Sequence, residues 1–209
     1  MSIKEYILDG RMDDTSRLTE EALSNQLGIS KSPVREALNK LETEGLIRIE
    51  PRRGAYLRTY SDQELRELYD LREALETHVI RSVQVTPELL AQLKESNRRL
   101  SEFRLARDAK SSIQEDIHFH LLLAGAAANA RLTRELENLQ HQIWLSRRKS
   151  YEVARDNPLT FHESIVGALE EGDREKAEGV MRAHIRAARE VGLVQAGQGV
   201  GEAERVVAV

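Results

Sequence analysis

From Ser61 onward the apolar residues of this chain recur at helical spacing almost without a break, and that property restricts the fold more than any other. Ser61-Asp62-Gln63-Glu64 has the form of a capping box, with serine at the N-cap and glutamate three residues on. Thr86-Pro87, Asn157-Pro158 and Asp173 supply further helix starts, and Gly172 supplies a stop. The pattern predicts helices near 62–83, 87–107, 112–127, 131–154, 158–171 and 174–195, an all-α antiparallel bundle filling 61–194. From Gln195 to Val209 the residues are small and polar without a period, which predicts a disordered tail.

Residues 1–60 follow a different plan. Ile3, Tyr6 and Ile7 give a first short helix its apolar face. Thr19 suits the N-cap of a second, with Leu18, Ala22, Leu23 and Leu27 inward and Gly28 ending it. Ser32-Pro33 reads as the start of a third helix, serine capping and proline at the first helical position. Val34, Ala37, Leu38 and Leu41 then form an i, i+3, i+4, i+7 stripe that stops at Gly45. Leu46-Ile47-Arg48-Ile49 and Ala55-Tyr56-Leu57-Arg58 read as two short strands turning at Pro51-Arg52-Arg53-Gly54. The fold class is therefore mainly α: an N-terminal winged helix-turn-helix with a small β-hairpin, then the bundle.

A winged helix-turn-helix buries one side of its third helix and leaves the other for the DNA major groove. Here Lys31, Arg35, Asn39 and Glu42 are on the outward side. Lys31, Ser32 and Arg35 are best placed to reach bases or phosphates, because the first turn of a recognition helix enters the groove deepest. Arg52 and Arg53 at the hairpin tip would reach the DNA backbone or minor groove, with Gly54 permitting the turn. A net charge of −4 does not oppose this. Between Lys31 and Arg58 there are seven basic residues (Lys31, Arg35, Lys40, Arg48, Arg52, Arg53, Arg58) against four acidic ones (Glu36, Glu42, Glu44, Glu50), a local excess in an otherwise acidic chain.

The run LTEEALSNQLGISKSPVREALNKLETEGLIRIEPRRGAYL resembles the DNA-binding domain of the GntR regulators. Its core is Ser32 to Leu38, then Leu41-Glu42, Glu44-Gly45-Leu46 and Arg53-Gly54. The resemblance implies DNA contact by Lys31, Ser32, Arg35 and the wing around Gly54. Lys31 stands where that family has arginine, Ser32 where it has threonine, and Asp13-Asp14 where it has Pro-Gly. Lysine lacks the bidentate fork of arginine, so a phosphate contact suits Lys31 better than a base.

The bundle carries a second pattern. Asp116 and His120 are four apart, on one face of a helix with Ile113, Ile117, Leu121 and Ala124. His162 shares a face with Ile165, Val166 and Leu169, and His184 with Ala177, Met181 and Ala188. A buried carboxylate is costly unless paired or coordinated. Three imidazoles and one carboxylate suit a divalent metal, zinc first, with nickel, manganese or iron also served, and leave positions open for a ligand. A single histidine on an apolar face is ordinarily a packed core residue, and spacing alone does not bring these four together. His118 faces elsewhere, and His78 and His141 have surface or packing roles. Arg72 has two readings, a pocket group for an anionic ligand or an ion pair with Glu76 at i+4. Arg147 and Arg148, beside Trp144, read as a solvated helix face.

Residues 62–190 resemble the helical FCD domain of the FadR-type GntR subfamily. The matching pieces are Leu71 to Glu76, Asp116-Ile117-His118-Phe119-His120, Asn129, His162 to Ile165, and Gly172-Asp173 through Met181 to His184. The resemblance implies that Asp116, His120, His162 and His184 hold a divalent metal that in turn binds the carboxylate of a small organic or sugar acid. It argues against the fatty-acyl-binding branch, which lacks the metal set. It also implies a homodimer on an inverted-repeat DNA operator, released or engaged by the effector. The rival reading is a metal-dependent enzyme fused to a DNA-binding domain. It lacks a general base, since Glu163 is adjacent to His162 and neighbouring helical side chains diverge by about 100°. The chain is thus read as a regulator, not an enzyme. There is no cysteine, no apolar run of membrane-spanning length and no signal-like start, so the cytoplasm is the expected location.

Overall fold

The computed structural model describes residues 3–8, 17–147 and 158–206. The Asp13-Asp14 pair, the expected helix end at 154 and the Asn157 helix start fall outside them. The N-terminal part comprises α1 (Ile3–Leu8), α2 (Glu20–Leu27), α3 (Lys31–Thr43), β1 (Ile47–Glu50) and β2 (Gly54–Leu57). The remainder is α4 (Asp62–Ser82), α5 (Pro87–Leu105), α6 (Ala109–Ala126), α7 (Ala130–Arg147), α8 (Pro158–Glu170) and α9 (Arg174–Val206).

In α2, Thr19 caps the first turn by accepting from the Ala22 amide at 3.1 Å, and Gly28 closes the helix in the left-handed conformation at φ 66°. Helix α3 begins two residues earlier than Ser32-Pro33 suggests. Ser30 is the N-cap, without a side-chain cap bond, and Lys31, Ser32 and Pro33 fill the first three helical positions. A proline fits there because none of the first four helical N–H groups has an intrahelical partner. Val34, Leu38 and Leu41 bury their stripe against Leu23, Leu46, Ile47 and Leu57. The hairpin is antiparallel, pairing Ile47 with Leu57 and Glu50 with Gly54. Leu18 joins it through reciprocal backbone bonds to Ala55 of 2.8 and 2.9 Å. Gly54, at φ 100°, must be glycine twice over, since a Cβ there would lie 2.9 Å from the Leu18 carbonyl oxygen.

The bundle opens with the expected capping box at Ser61 and Glu64. Helix α4 packs on α9 and α7, α5 on α6 and α8, and α8 on α9, around Leu65, Tyr69, Phe119, Leu136, Ile165 and Met181. Helix α6 starts at Ala109 because Asp108 caps it, accepting from the Ser111 amide at 3.0 Å. Helix α9 is helical to Val206, whereas the sequence reads as a structureless tail from Gln195. Once a helix is nucleated each added residue gains a hydrogen bond, so glycines at 197, 199 and 201 weaken it without stopping it.

Helix α7 ties the two parts together. Leu145 belongs to the N-terminal core. Gln142 Nε2 donates to the Glu44 carbonyl at 2.8 Å, and Trp144 Nε1 to the Leu8 carbonyl at 3.2 Å. Tyr60 Oη donates to the Gly45 carbonyl at 2.5 Å. His141 sits in this junction near Lys4 and Glu44, and burial, reinforced by Lys4, pushes its ring down to about 4. The unfolded value is near 6.5, so unfolding takes up a proton between the two values. The contribution of His141 is complete above pH 6.5 and is lost as pH falls toward 4. His141→Gln is expected to flatten stability against pH across that window by up to about 1.4 kcal/mol per pH unit. Urea melts across the window test this, and an unchanged slope would refute it.

Candidate functional site

The side chains expected to contact DNA are exposed. Lys31, Ser32, Arg35 and Asn39 are exposed along α3, and Arg52 and Arg53 are exposed at the hairpin tip, where Arg52 takes φ 64°. Two details differ from the sequence reading. Glu42 does not point to the groove: its Oε1 accepts from the Ile49 amide at 2.7 Å and so ties α3 to the wing. Arg35 is engaged already, with Nε and Nη2 each 2.7 Å from a Glu20 carboxylate oxygen. Those hydrogen bonds hold the Glu20 carboxyl below its usual range, with a weaker pull from Lys31.

In the bundle, α6 contributes Asp116 and His120, α8 contributes His162, and α9 contributes His184. One ligand atom from each lies within 4.8 Å of all the others. The three imidazoles are shut off from solvent, while the Asp116 side chain is 18% exposed. Phe119 stacks on His162 at 3.9 Å between ring centres, and His120 and His184 stack at 5.1 Å. Burial pushes His162 down to about 3, so its ring is neutral and both nitrogens cannot donate at once.

The geometry fits a metal by an argument from the orphaned atoms. Both ring nitrogens of His162 and Oδ1 of Asp116 are buried without a hydrogen bond, although His162 Nε2 and Asp116 Oδ1 are only 3.4 Å apart. His120 Nε2 faces His184 Nε2 at 3.1 Å. Leaving such groups unpaired costs about 1–3 kcal/mol each. With metal–ligand bonds of about 2.0–2.2 Å, neighbouring ligand atoms on one ion lie roughly 3–3.5 Å apart, and these two separations match.

Glu76 supports the cluster, and the sequence analysis missed that role. Its Oε2 is hydrogen-bonded to His120 Nδ1, while Oε1 accepts from Arg72 Nε at 2.6 Å and Gln140 Nε2 at 3.0 Å. Burial drives the Glu76 carboxyl up, but His120 and Arg72 outweigh it and hold it at about 2. The carboxylate thus keeps the proton of His120 on Nδ1 and its lone pair on Nε2, facing the cluster. A signal for this existed: Arg72 and Glu76 continue the buried stripe of Leu65, Tyr69 and Ile80, where two charges need partners. Arg72 forms the ion pair with Glu76 that one of its two readings expects, and it also lines a cleft. That cleft is walled by Arg72, Ile113, Asp116, Ile117, Gln140, Ile143 and Trp144. Arg72 Nη2 is buried there without a partner. His118 and His78 are exposed.

Comparisons with known proteins agree with both halves. Residues 1–57 match the model of the bacterial regulatory proteins of the gntR family, and residues 67–187 match the FCD domain. The chain is 30% identical over 176 residues to the HTH-type transcriptional repressor RspR of Escherichia coli strain K12, covering 81% of this chain and 76% of that one. It is 29% identical over 185 residues to the Nta operon transcriptional regulator of Aminobacter aminovorans, covering 81% of each. The solved structure of E. coli McbR/YncC shares the fold with a TM-score of 0.80 at 22% identity, over 92% of this chain and 93% of that one. A GntR-type DNA-binding domain followed by an effector-binding FCD domain identifies a DNA-binding transcription regulator, not an enzyme, and the chain belongs to the GntR family.

Proposed function

We propose that this regulator is a homodimer that represses transcription from an inverted-repeat operator and responds to a small organic or sugar acid bound at a divalent metal, zinc by preference. One observation carries the reading: the Asp116, His120, His162 and His184 cluster adjoins a cleft in which Arg72 offers a buried, unpaired N–H. A metal bound by this set supplies positive charge and open positions for a carboxylate. Arg72 adds a second donor, and Ile113, Ile117 and Ile143 cover the carbon skeleton of the acid. On the DNA side, Arg35 and Asn39 read bases, Lys31 and Ser32 hold phosphates, and Arg52 and Arg53 beside Gly54 reach the backbone or minor groove. The cytoplasm is the compartment such a regulator works in.

Coupling between the halves runs through α7. Gln140, Ile143 and Trp144 face the cleft, while Gln142, Leu145 and the Trp144 indole N–H hold the N-terminal part. A ligand that shifts α7 therefore changes how the DNA-reading part is held, and its differential affinity for the two arrangements sets the response. The name of the RspR relative as a repressor supports repression. The test is a thermal-shift screen of small carboxylates with and without added zinc, nickel and manganese. We expect a rise in melting temperature that needs metal and acid together, about 2.7 kcal/mol of stabilisation at a hundredfold excess over Kd. An acid that stabilises the metal-stripped protein equally well would refute the metal-bound effector.

A further inference from the structure

Arg35 is held from the side in a way that leaves its tip free. A guanidinium has five N–H donors, one on Nε and two on each Nη. Glu20 takes the Nε donor and one Nη2 donor, both at 2.7 Å. Two donors on Nη1 and one on Nη2 remain, and the outward pair forms a parallel fork matching O6 and N7 of guanine. The ion pair is exposed, with side-chain accessibilities of 63% for Arg35 and 32% for Glu20. Exposed pairs add little to stability, so folding does not explain it. Glu20 also sets a negative charge on the face that meets phosphates, which costs affinity. Its backbone is fixed, since it opens α2 directly after the Thr19 cap.

We propose that Glu20 is a positioning residue for DNA reading: its carboxylate clamps the side of Arg35 and presents the remaining fork to a guanine. The inference rests on Arg35 being a base reader. Without the clamp, Arg35 swings freely and reaches phosphates as easily as bases, so discrimination falls while attraction to DNA does not. Glu20 thus trades affinity for specificity.

The test uses the full-length protein and a random-sequence duplex pool, from which the wild type selects its own sites. Selected sites are sequenced for wild type, Glu20→Gln, Glu20→Asp and Arg35→Ala, and each variant is titrated on the selected duplex and on a scrambled one. We expect one guanine per half-site to lose its preference in Arg35→Ala. Glu20→Gln should weaken discrimination at that same base pair by about tenfold, leave the other positions alone, and bind scrambled DNA as tightly as wild type or tighter. Glu20→Asp, which keeps the charge, should recover part of the preference. A merely structural role would lower all affinities together and would not single out one base pair. If Arg35→Ala removes the guanine preference and Glu20→Gln keeps it, the clamp is refuted and the reading role of Arg35 stands. If Arg35→Ala keeps every preference, the reading role itself falls, and the clamp with it.

Discussion

Glu76→Ala is expected to destabilise the protein by about 3–5 kcal/mol, the cost of breaking a buried ion pair by removing one partner. Arg72 is 1% exposed, and its Nε donates to Glu76 at 2.6 Å. Without that carboxylate the guanidinium keeps its charge in an apolar interior, and Gln140 Nε2 and His120 Nδ1 lose their acceptor as well. A guanidinium chloride melt of the metal-stripped protein measures the effect. A change below about 1 kcal/mol would mean that water reaches the pair and that the energetics of a closed network do not apply. Glu76→Leu combined with Arg72→Leu removes both charges together and should restore much of the stability, since buried pairs replaced by apolar residues are often neutral or better. It should not restore metal binding. With no carboxylate on Nδ1, His120 loses its fixed tautomer, and loss of such a support weakens metal affinity by about 10–100-fold. Stability and metal affinity therefore separate in the double variant.

What was legible in the sequence follows from how far each interaction reaches along the chain. The Thr19, Ser61 and Thr86 caps and the Gly28 stop involve residues within five of one another, and all stand as read. The stripe of Val34, Leu38 and Leu41 was equally plain, since burial on one helix face leaves a period. Ser30 rather than Ser32 begins α3 because proline tolerates any position in the first turn, so it marks a helix start only loosely. The contacts that crossed the chain were the ones missed. Glu76 meets His120 across 44 positions and Gln140 across 64, and Arg35 meets Glu20 across 15. Spacing placed each of the four cluster residues on an apolar face. Only the resemblance to the FCD domain implied that three helices bring them together.

His162→Ala is expected to reduce bound metal from about one ion per chain to near none after dialysis, because a four-ligand site that loses one ligand no longer outcompetes water and buffer. This residue is the cleanest probe of the cluster. Neither of its ring nitrogens makes a hydrogen bond within the protein, so its removal breaks no polar network. What is lost besides a ligand is the stack on Phe119 and the volume of the ring. His120→Ala would instead disturb Glu76 and, through it, Arg72. Elemental analysis of zinc-loaded wild type and variant measures the result, with circular dichroism to confirm that the helices remain, and an unchanged metal content would remove His162 from the site. The same variant separates sensing from folding. If the metal serves sensing, His162→Ala should melt cooperatively, as the chelator-stripped wild type does, and should show no carboxylate-induced shift at any metal concentration. If the metal instead holds α6, α8 and α9 together, both proteins should lose the cooperative transition. The hydrogen-bonded support of Glu76 favours the first outcome, because the network of Glu76 with His120, Arg72 and Gln140 is complete without a metal.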